Sequence, residues 1–367
     1  MNSIPAKGWG AKGATFSRLH PIDFERDAPK ADELLIDILY CGVCHSDLHQ
    51  VKNDWGNTVY PCVPGHEIIG RVRQAGASVT RFKVGDIVGV GCMIDSCNTC
   101  EPCAQGEENY CEGPNGFLAT YNGPMVPAKE APGGVNTYGR ENSYGGYSSN
   151  IVVKERFVLR IPPALAPERA APILCAGVTT WSPLRHWKVE AGQHVAVAGL
   201  GGLGHMAVKL ARALGAEVTV ITSSKEKEDA AKALGADHVL VSDDKKAMEE
   251  KALSYHLILV TIPDPFDINP YITLLKRNGT LVTVGMLGVY KKGTDNSEVA
   301  FHRRSVAGSL IGGVAETQEV LDFCAQHGIQ PDVELIKMKD INEAFDKMAK
   351  GDVRFRYVID MQSLGDV

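Results

Sequence analysis

The sequence predicts a two-domain α/β protein in which a mostly β part is joined to a doubly wound parallel sheet. Three observations predict it. The chain of 367 residues has room for two cores at roughly 100–200 residues per domain. In its first third, short apolar alternations are separated by Gly and Pro; after Pro172, strand-like runs alternate with helical spacing, the pattern of a parallel sheet covered by helices on both faces. Hydrophobic residues at 44% and charged residues at 22% are ordinary globular usage, which excludes a disordered or fibrous chain.

The elements follow in order. Leu34, Ile36, Ile38 and Tyr40 alternate with Leu35, Asp37 and Leu39 as a strand, and Phe82 to Val90 reads as another. From about Gly113 to Gly146 the chain is rich in Gly, Pro, Asn and Tyr without periodicity, and is expected to be a long surface lobe. Val195 to Ala198 is a strand, Leu203 to Leu214 a helix, Val218 to Ile221 a strand and Lys225 to Leu234 a helix. Strands are expected at His238 to Val241, Leu257 to Thr261 and Thr280 to Val284, helices at Ala315 to His327 and Ile341 to Ala349, and a closing strand at Arg356 to Ile359.

Charge and apolar runs narrow the function. Lys plus Arg number 38 against 44 Asp plus Glu, a formal net charge of −6, so no general attraction to nucleic acid or an anionic membrane is expected. The most apolar glycine-rich stretch, Val195 to Ala207, is too short to span a bilayer. The opening MNSIPAKGWGAKGATF has no apolar signal region, so a cytoplasmic location is expected. In a reducing compartment, clustered cysteines point to metal rather than to disulfides.

Cys97-x2-Cys100-x2-Cys103-x7-Cys111 supplies four thiolates at short intervals. Such a set wraps one tetrahedral ion with no open position, which is structural zinc. An iron–sulfur cluster is the rival, but the ferredoxin spacing and its proline are missing, since Glu112 follows Cys111. A dispersed set comprises Cys44 in CGVCHSDLH, His66 and Glu67 in PGHEIIG, and Cys175 in LCAGVTT. Taken singly, each of these also reads as packing or as an ordinary polar residue; Cys41, Cys62, Cys92 and Cys324 are assigned to packing, with Cys92 also a pocket wall.

Gly199-Leu200-Gly201-Gly202-Leu203-Gly204 follows a strand and opens a helix, as a dinucleotide-binding G-x-G-x-x-G requires. An NAD site usually has Asp or Glu at the end of the next strand for the ribose 2′-hydroxyl. This chain has Thr222-Ser223-Ser224-Lys225, with Lys227 beyond, so NADP is the better fit. The same residues also read as a helix cap made by Ser224.

With these signals in order, the chain from about Pro5 to Met361 resembles the zinc-dependent medium-chain dehydrogenases, most closely the cinnamyl-alcohol-dehydrogenase type. The carrying motifs are GVCHSDLH (42–49), GHEIIG (65–70), the four-cysteine lobe, CAGVTTWSPL (175–184), GLGGLGHMAVK (199–209), GSLIGG (308–313) and FRYVID (355–360). The resemblance implies a GroES-like β-barrel catalytic domain over 1–170 and 312–367, with a structural-zinc lobe at about 95–113, and an inserted Rossmann NADP-binding domain over 171–311. It implies a homodimer joined near Gly308 to Gly313, two zincs per chain, and interconversion of primary alcohols and aldehydes by hydride transfer to or from NADP(H).

Residue by residue, the resemblance makes Cys44, His66 and Cys175 catalytic-zinc ligands and Glu67 a ligand or close neighbour. Asp47 would orient His66, Ser46 would take the substrate proton, His49 would carry it outward, and Asp54 would assist. His45, Thr179 and Arg356 would meet the cofactor, His45 and Arg356 near its pyrophosphate. Trp55, Cys92 and Leu310 would line an apolar pocket for aromatic or medium-length aliphatic alcohols. The Gly113 to Gly146 loop is longer than is common in the family. The alternative is a non-catalytic NADPH- or zinc-binding redox sensor on the same fold, which would not need a metal with an open position.

Overall fold

The structure is a computed structural model that describes residues 3–15, 18–285, 288–351 and 355–366. It divides into two compact units, one formed by Met1–Cys175 with Gly312–Val367 and the other by Ala176–Ile311. The expected boundary at 170 falls short of the observed one because Ala171, Ile173 and Leu174 are fully buried in the first unit. That short stretch carries Cys175 with it.

The first unit is built around the strand Glu33–Gly42. Its apolar residues Leu34, Leu35, Ile36 and Ile38 are all buried, and full burial of such side chains contributes about 1.5–3 kcal/mol each. This strand pairs antiparallel with Ile68–Ala75, Asn150–Lys154 and Arg356–Asp360 within a seven-stranded sheet. The register sets Cys41 opposite Ile68, and Gly42 opposite Val358. The chain therefore leaves the sheet toward Cys44 at the edge where Glu67 precedes one neighbouring strand and Arg356 opens another. Ser3–Gly10 and His20–Asp27 form a separate hairpin, and Met93–Asp95 pairs with Leu118–Ala119.

Two expectations for this unit need correction. The strand expected over Phe82 to Val90 is confined to Ile87–Val90. Lys83 to Asp86 turns instead: the Lys83 N–H donates to the Asp86 carboxylate at 2.9 Å, and the Asp86 N–H to the Lys83 carbonyl at 3.1 Å. The Gly113 to Gly146 stretch is not simply a surface lobe. Asn115, Phe117, Leu118, Thr120, Tyr121, Ser143 and the Gly145–Gly146 pair are buried, and only its middle is exposed. The Asn115 amide ties the stretch together, donating to the carbonyls of Val126 and Val135 at 3.0 and 2.9 Å.

The second unit is a six-stranded parallel sheet in the order His238–Val241, Glu217–Thr222, His194–Ala198, Tyr255–Val260, Leu275–Thr283, Ser305–Gly308. Its central strands are continuous apolar runs buried on both faces, as Val195, Val197, Ile258 and Val260 illustrate. The strand order reverses between His194–Ala198 and Tyr255–Val260, and ligands of such sheets bind beyond the carboxyl ends at this switch. Helix Gly202–Ala213 leaves the carboxyl end of the first of these strands. The expected helix Lys225 to Leu234 begins as a 3₁₀ turn, Lys225–Lys227, and continues as Glu228–Ala233. Ser305–Gly308, too short to show a period, adds an edge strand that the sequence did not reveal. Among the described residues, no helix is long and apolar enough to cross a membrane.

Candidate active site and metal centres

Cys44 sits at the N-cap of the helix His45–Lys52, where its backbone N–H donates to the Asp47 Oδ2 at 2.9 Å. Asp47 in turn accepts from His66 Nδ1 through Oδ1 at 3.1 Å, which leaves His66 Nε2 directed at the Cys175 sulfur, 3.2 Å away. The Cys44 and Cys175 sulfurs are 4.0 Å apart. Ligand atoms of Cys44, His66, Glu67 and Cys175 all lie within 4.8 Å of one another, and all four residues are buried. Tetrahedral zinc with bonds of about 2.0–2.3 Å needs ligand separations of this size. The set therefore fits a zinc ion, and with Glu67 engaged by Arg356 its two thiolates and one imidazole are the three-ligand type that keeps a fourth position open.

The electrostatics agree. A hydrogen bond from the Cys175 thiol, strengthened by Arg356 and His66, brings the Cys44 thiol well below its usual range, while Cys175 is raised in exchange. Burial disfavours the His66 cation, but Asp47 and the nearby thiols hold its pKa well above the ordinary value. Burial pushes the Glu67 carboxyl up, and Glu67 leaves its Oε2 without a protein partner while Oε1 meets Arg356.

Arg356 is buried in the first unit, where its guanidinium pairs with Glu67. A buried carboxylate without a cation is costly, and this arginine is the neighbour that compensates it. The half-buried Ser46 hydroxyl is 3.7 Å from the Cys44 sulfur. His49 Nδ1 is 2.8 Å from the exposed Asp54 carboxylate, and its ring lies 5.7 Å from that of Trp55. Burial lowers the His45 pKa, and its ring lies 6.4 Å from that of His49. Half-buried Cys92 has its sulfur 3.8 Å from the Leu174 carbonyl, beside Cys175.

The second cysteine set is local. Cys97, Cys100, Cys103 and Cys111 bring four sulfurs within 4.8 Å of one another. Backbone N–H groups point at these sulfurs: Cys100 at Cys97, Cys97 and Gly113 at Cys111, and Glu112 at Cys100, each at 3.4 Å. Amide donors stabilise thiolate charge: burial alone would raise the Cys97 thiol, but backbone and side-chain donors from Thr99 and Cys100 bring it down to about 6. Four sulfurs without an open side fit closed tetrahedral zinc. Cys41, Cys62 and Cys324 are buried and belong to neither set, and no cysteine is in a disulfide.

In the second unit the turn from His194–Ala198 into Gly202–Ala213 has the form that a dinucleotide needs. Gly199 adopts φ +98°, and a Cβ on Gly204 would come 2.1 Å from the Gly199 carbonyl, so helix and strand close up only on glycine. A Cβ on Gly201 would meet nothing within 4 Å; the space above Gly201 is open at the N-terminus of the helix, between Leu200 and the Gly202-Leu203 start. Among the described residues the buried Thr179 hydroxyl has no hydrogen-bond partner. At the end of the next strand Thr222 is buried, Ser223, Lys225 and Lys227 are exposed, and Ser224 occupies the cap position without a side-chain cap bond. Its hydroxyl is therefore not spent on the helix. Leu310 is half-buried in this unit.

Sequence reasoning missed Tyr147 and Tyr121. The Tyr147 hydroxyl donates to Asp47 at 3.1 Å, and the Tyr121 ring lies 5.6 Å from His66. Both stand in the aperiodic Gly113 to Gly146 stretch or just beyond it, where pattern carries no signal.

Residues 30–163 match the model of the alcohol dehydrogenase GroES-like domain, and residues 202–326 match that of the zinc-binding dehydrogenases. The chain belongs to the zinc-binding alcohol dehydrogenase family. Among its relatives, the aldehyde reductase YahK of Escherichia coli is 49% identical over 95% of this chain and 96% of its own. Probable cinnamyl alcohol dehydrogenase 6 of Arabidopsis thaliana is 45% identical over 98% of this chain and 95% of its own. The crystal structure of a cinnamyl alcohol dehydrogenase from Helicobacter pylori complexed with NADP(H) superposes with a TM-score of 0.89 at 40% identity, covering 98% of this chain and 99% of that one.

Proposed function

We infer that this chain is a zinc-dependent oxidoreductase that interconverts primary alcohols and aldehydes with NADP(H), taking aromatic or medium-length aliphatic substrates. The observation that carries the reading is the buried convergence of Cys44, His66, Glu67 and Cys175 from distant parts of the sequence. The aldehyde reductase and cinnamyl alcohol dehydrogenase relatives support the alcohol–aldehyde couple, and the NADP(H) complex of the H. pylori protein supports the cofactor. Zinc bound by Cys44, His66 and Cys175 supplies Lewis-acid polarisation of the substrate oxygen, and the nicotinamide carries the hydride.

The side chains handle the rest. Ser46 accepts the alcohol proton, and His49, held by Asp54, passes it toward solvent from its partly exposed position. Trp55 and Cys92 give the substrate an apolar wall. Ser223, Ser224, Lys225 and Lys227 bind the 2′-phosphate of NADP(H), and Thr179 offers the cofactor an unused hydroxyl. Among the described residues the edge strand Ser305–Gly308 has one side unpaired, which supports a homodimer formed there. Ten cysteines without a disulfide suit a reducing compartment such as the cytoplasm. Metal-replete protein assayed on a panel of alcohols and aldehydes with NADP and NAD in parallel tests the reading; inactivity on every substrate would defeat it.

Two further outcomes are expected. Ser46→Ala should lower kcat about 10²–10⁴-fold, the scale of a lost proton-transfer group, with zinc content unchanged; steady-state kinetics with metal analysis measures both. Cys103→Ser should remove one zinc per chain and destabilise the protein by about 2 kcal/mol or more, a Tm fall of roughly 4–8 °C in a domain of this size. Calorimetry of the variant checks it, and a variant that keeps both metals would exclude the closed centre.

A further inference from the structure

Asp47 is fully buried and accepts from four places in the chain. Oδ1 takes the Gly65 N–H and His66 Nδ1, each at 3.1 Å; Oδ2 takes the Cys44 N–H at 2.9 Å and the Tyr147 hydroxyl at 3.1 Å. A carboxylate has about four acceptor positions, so this one is saturated. Three of the donors belong to residues at or beside the candidate ligands. The fourth, Tyr147, comes from 100 positions further on.

Tyr147 is itself locked. It is fully buried, and its backbone N–H donates to the Pro64 carbonyl at 2.9 Å while its carbonyl accepts from Trp9 at 2.9 Å. Gly145 and Gly146 donate to Val63 and Gly65 at 2.7 and 2.8 Å, so the two segments run side by side up to His66. Behind them Arg26 donates to the Tyr144 carbonyl and the Ser148 hydroxyl, each at 3.0 Å. The tyrosine ring also explains Gly65, which has φ +103° and whose Cβ would lie 2.7 Å from Tyr147 Cδ1. The phenol is an anchored donor with one target.

We propose that Tyr147 is a positioning residue for the mixed-ligand metal centre: its hydroxyl fixes the Asp47 carboxylate, and Asp47 holds the His66 ring so that Nε2 stays directed at the ion. Without that hydroxyl, Asp47 Oδ2 keeps only the Cys44 N–H and the carboxylate gains freedom to rotate. The His66 ring then loses the fixed partner that sets its tautomer and aim. The proposal rests on Cys44, His66 and Cys175 being zinc ligands.

The test is zinc release from full-length, zinc-loaded protein into an excess of chelator, followed with a chromogenic zinc indicator. Tyr147→Phe is expected to speed release of one zinc per chain about 10–100-fold, the usual effect of an outer hydrogen-bond partner, and to leave the four-cysteine zinc at its wild-type rate. In an Asp47→Asn background the same change should add nothing, because the tyrosine acts through that carboxylate. Unchanged release, equal acceleration of both zincs, or an undiminished effect beside Asp47→Asn overturns the proposal. Should Tyr147→Phe not fold, 3-fluorotyrosine at position 147 keeps the contacts and alters donor strength; a release rate that does not respond overturns the proposal equally. Failure of the underlying reading has a different sign: wild-type protein would then hold one zinc instead of two.

Discussion

Cys44→Ala is expected to reduce turnover by about 10³-fold or more while NADP(H) binding stays within a few-fold of the wild type. Lewis-acid polarisation of an oxygen at an active-site metal is worth several kcal/mol, and each 1.4 kcal/mol is a tenfold change in rate. Cys44 and Cys175 are the two thiols of the buried set, their sulfurs 4.0 Å apart, so removing one leaves an imidazole, a thiol and a carboxylate already engaged by Arg356. That remainder binds zinc weakly. The glycine turn and the Ser223 to Lys225 segment belong to the other unit and share no side chain with the set. Metal analysis, stopped-flow turnover and cofactor fluorescence titration measure the three quantities on one sample. Zinc should fall by one per chain and NADPH fluorescence should titrate normally. Wild-type turnover in a variant lacking that zinc would sink the assignment, and a wild-type protein with no turnover to lose would favour a sensor.

The second large effect is expected at the cofactor. Ser223→Asp combined with Lys225→Ala should shift the ratio of kcat/KM for NADP over NAD by on the order of 10³ toward NAD. A hydrogen bond to a charged group is worth about 1.5–3 kcal/mol, and two are lost here. The new carboxylate stands at the end of the strand Glu217–Thr222, where it repels a 2′-phosphate and accepts from a 2′-hydroxyl. Ser223 and Lys225 are exposed, and the Ser224 side chain makes no cap bond, so the fold has little stake in either replaced side chain. Parallel kinetics with both cofactors and a melting curve separate the outcomes: an unchanged ratio in a stable protein would remove this segment from the phosphate site.

How much was legible depended on distance along the chain. The four-cysteine set spans Cys97 to Cys111, and its sulfurs meet because short spacings leave the backbone few ways to part them. The glycine turn was legible for a similar reason, since strand, turn and helix are consecutive in sequence and the glycines answer to local clashes. The strand Ser305–Gly308 was not, because four residues hold too little period. The overlong strand expected from Phe82 failed on a turn written in one side chain, the Asp86 carboxylate closing on the Lys83 N–H. The Gly113 to Gly146 stretch was misjudged as surface because burial there comes from side chains of the rest of the unit and from amides such as Asn115, not from a repeating pattern.

The sequence by itself determined the class of the fold, the position of the glycine turn, the closed cysteine set and the residue types that a mixed metal centre requires. Only the tertiary structure decided that His66 and Cys175, 109 positions apart, stand 3.2 Å from each other, that Arg356 compensates Glu67, and that Tyr147 completes the bonds of Asp47. The division has a physical cause. Local motifs are governed by backbone geometry over a few residues, whereas partners from distant segments meet only after sheet register fixes which strand ends share an edge.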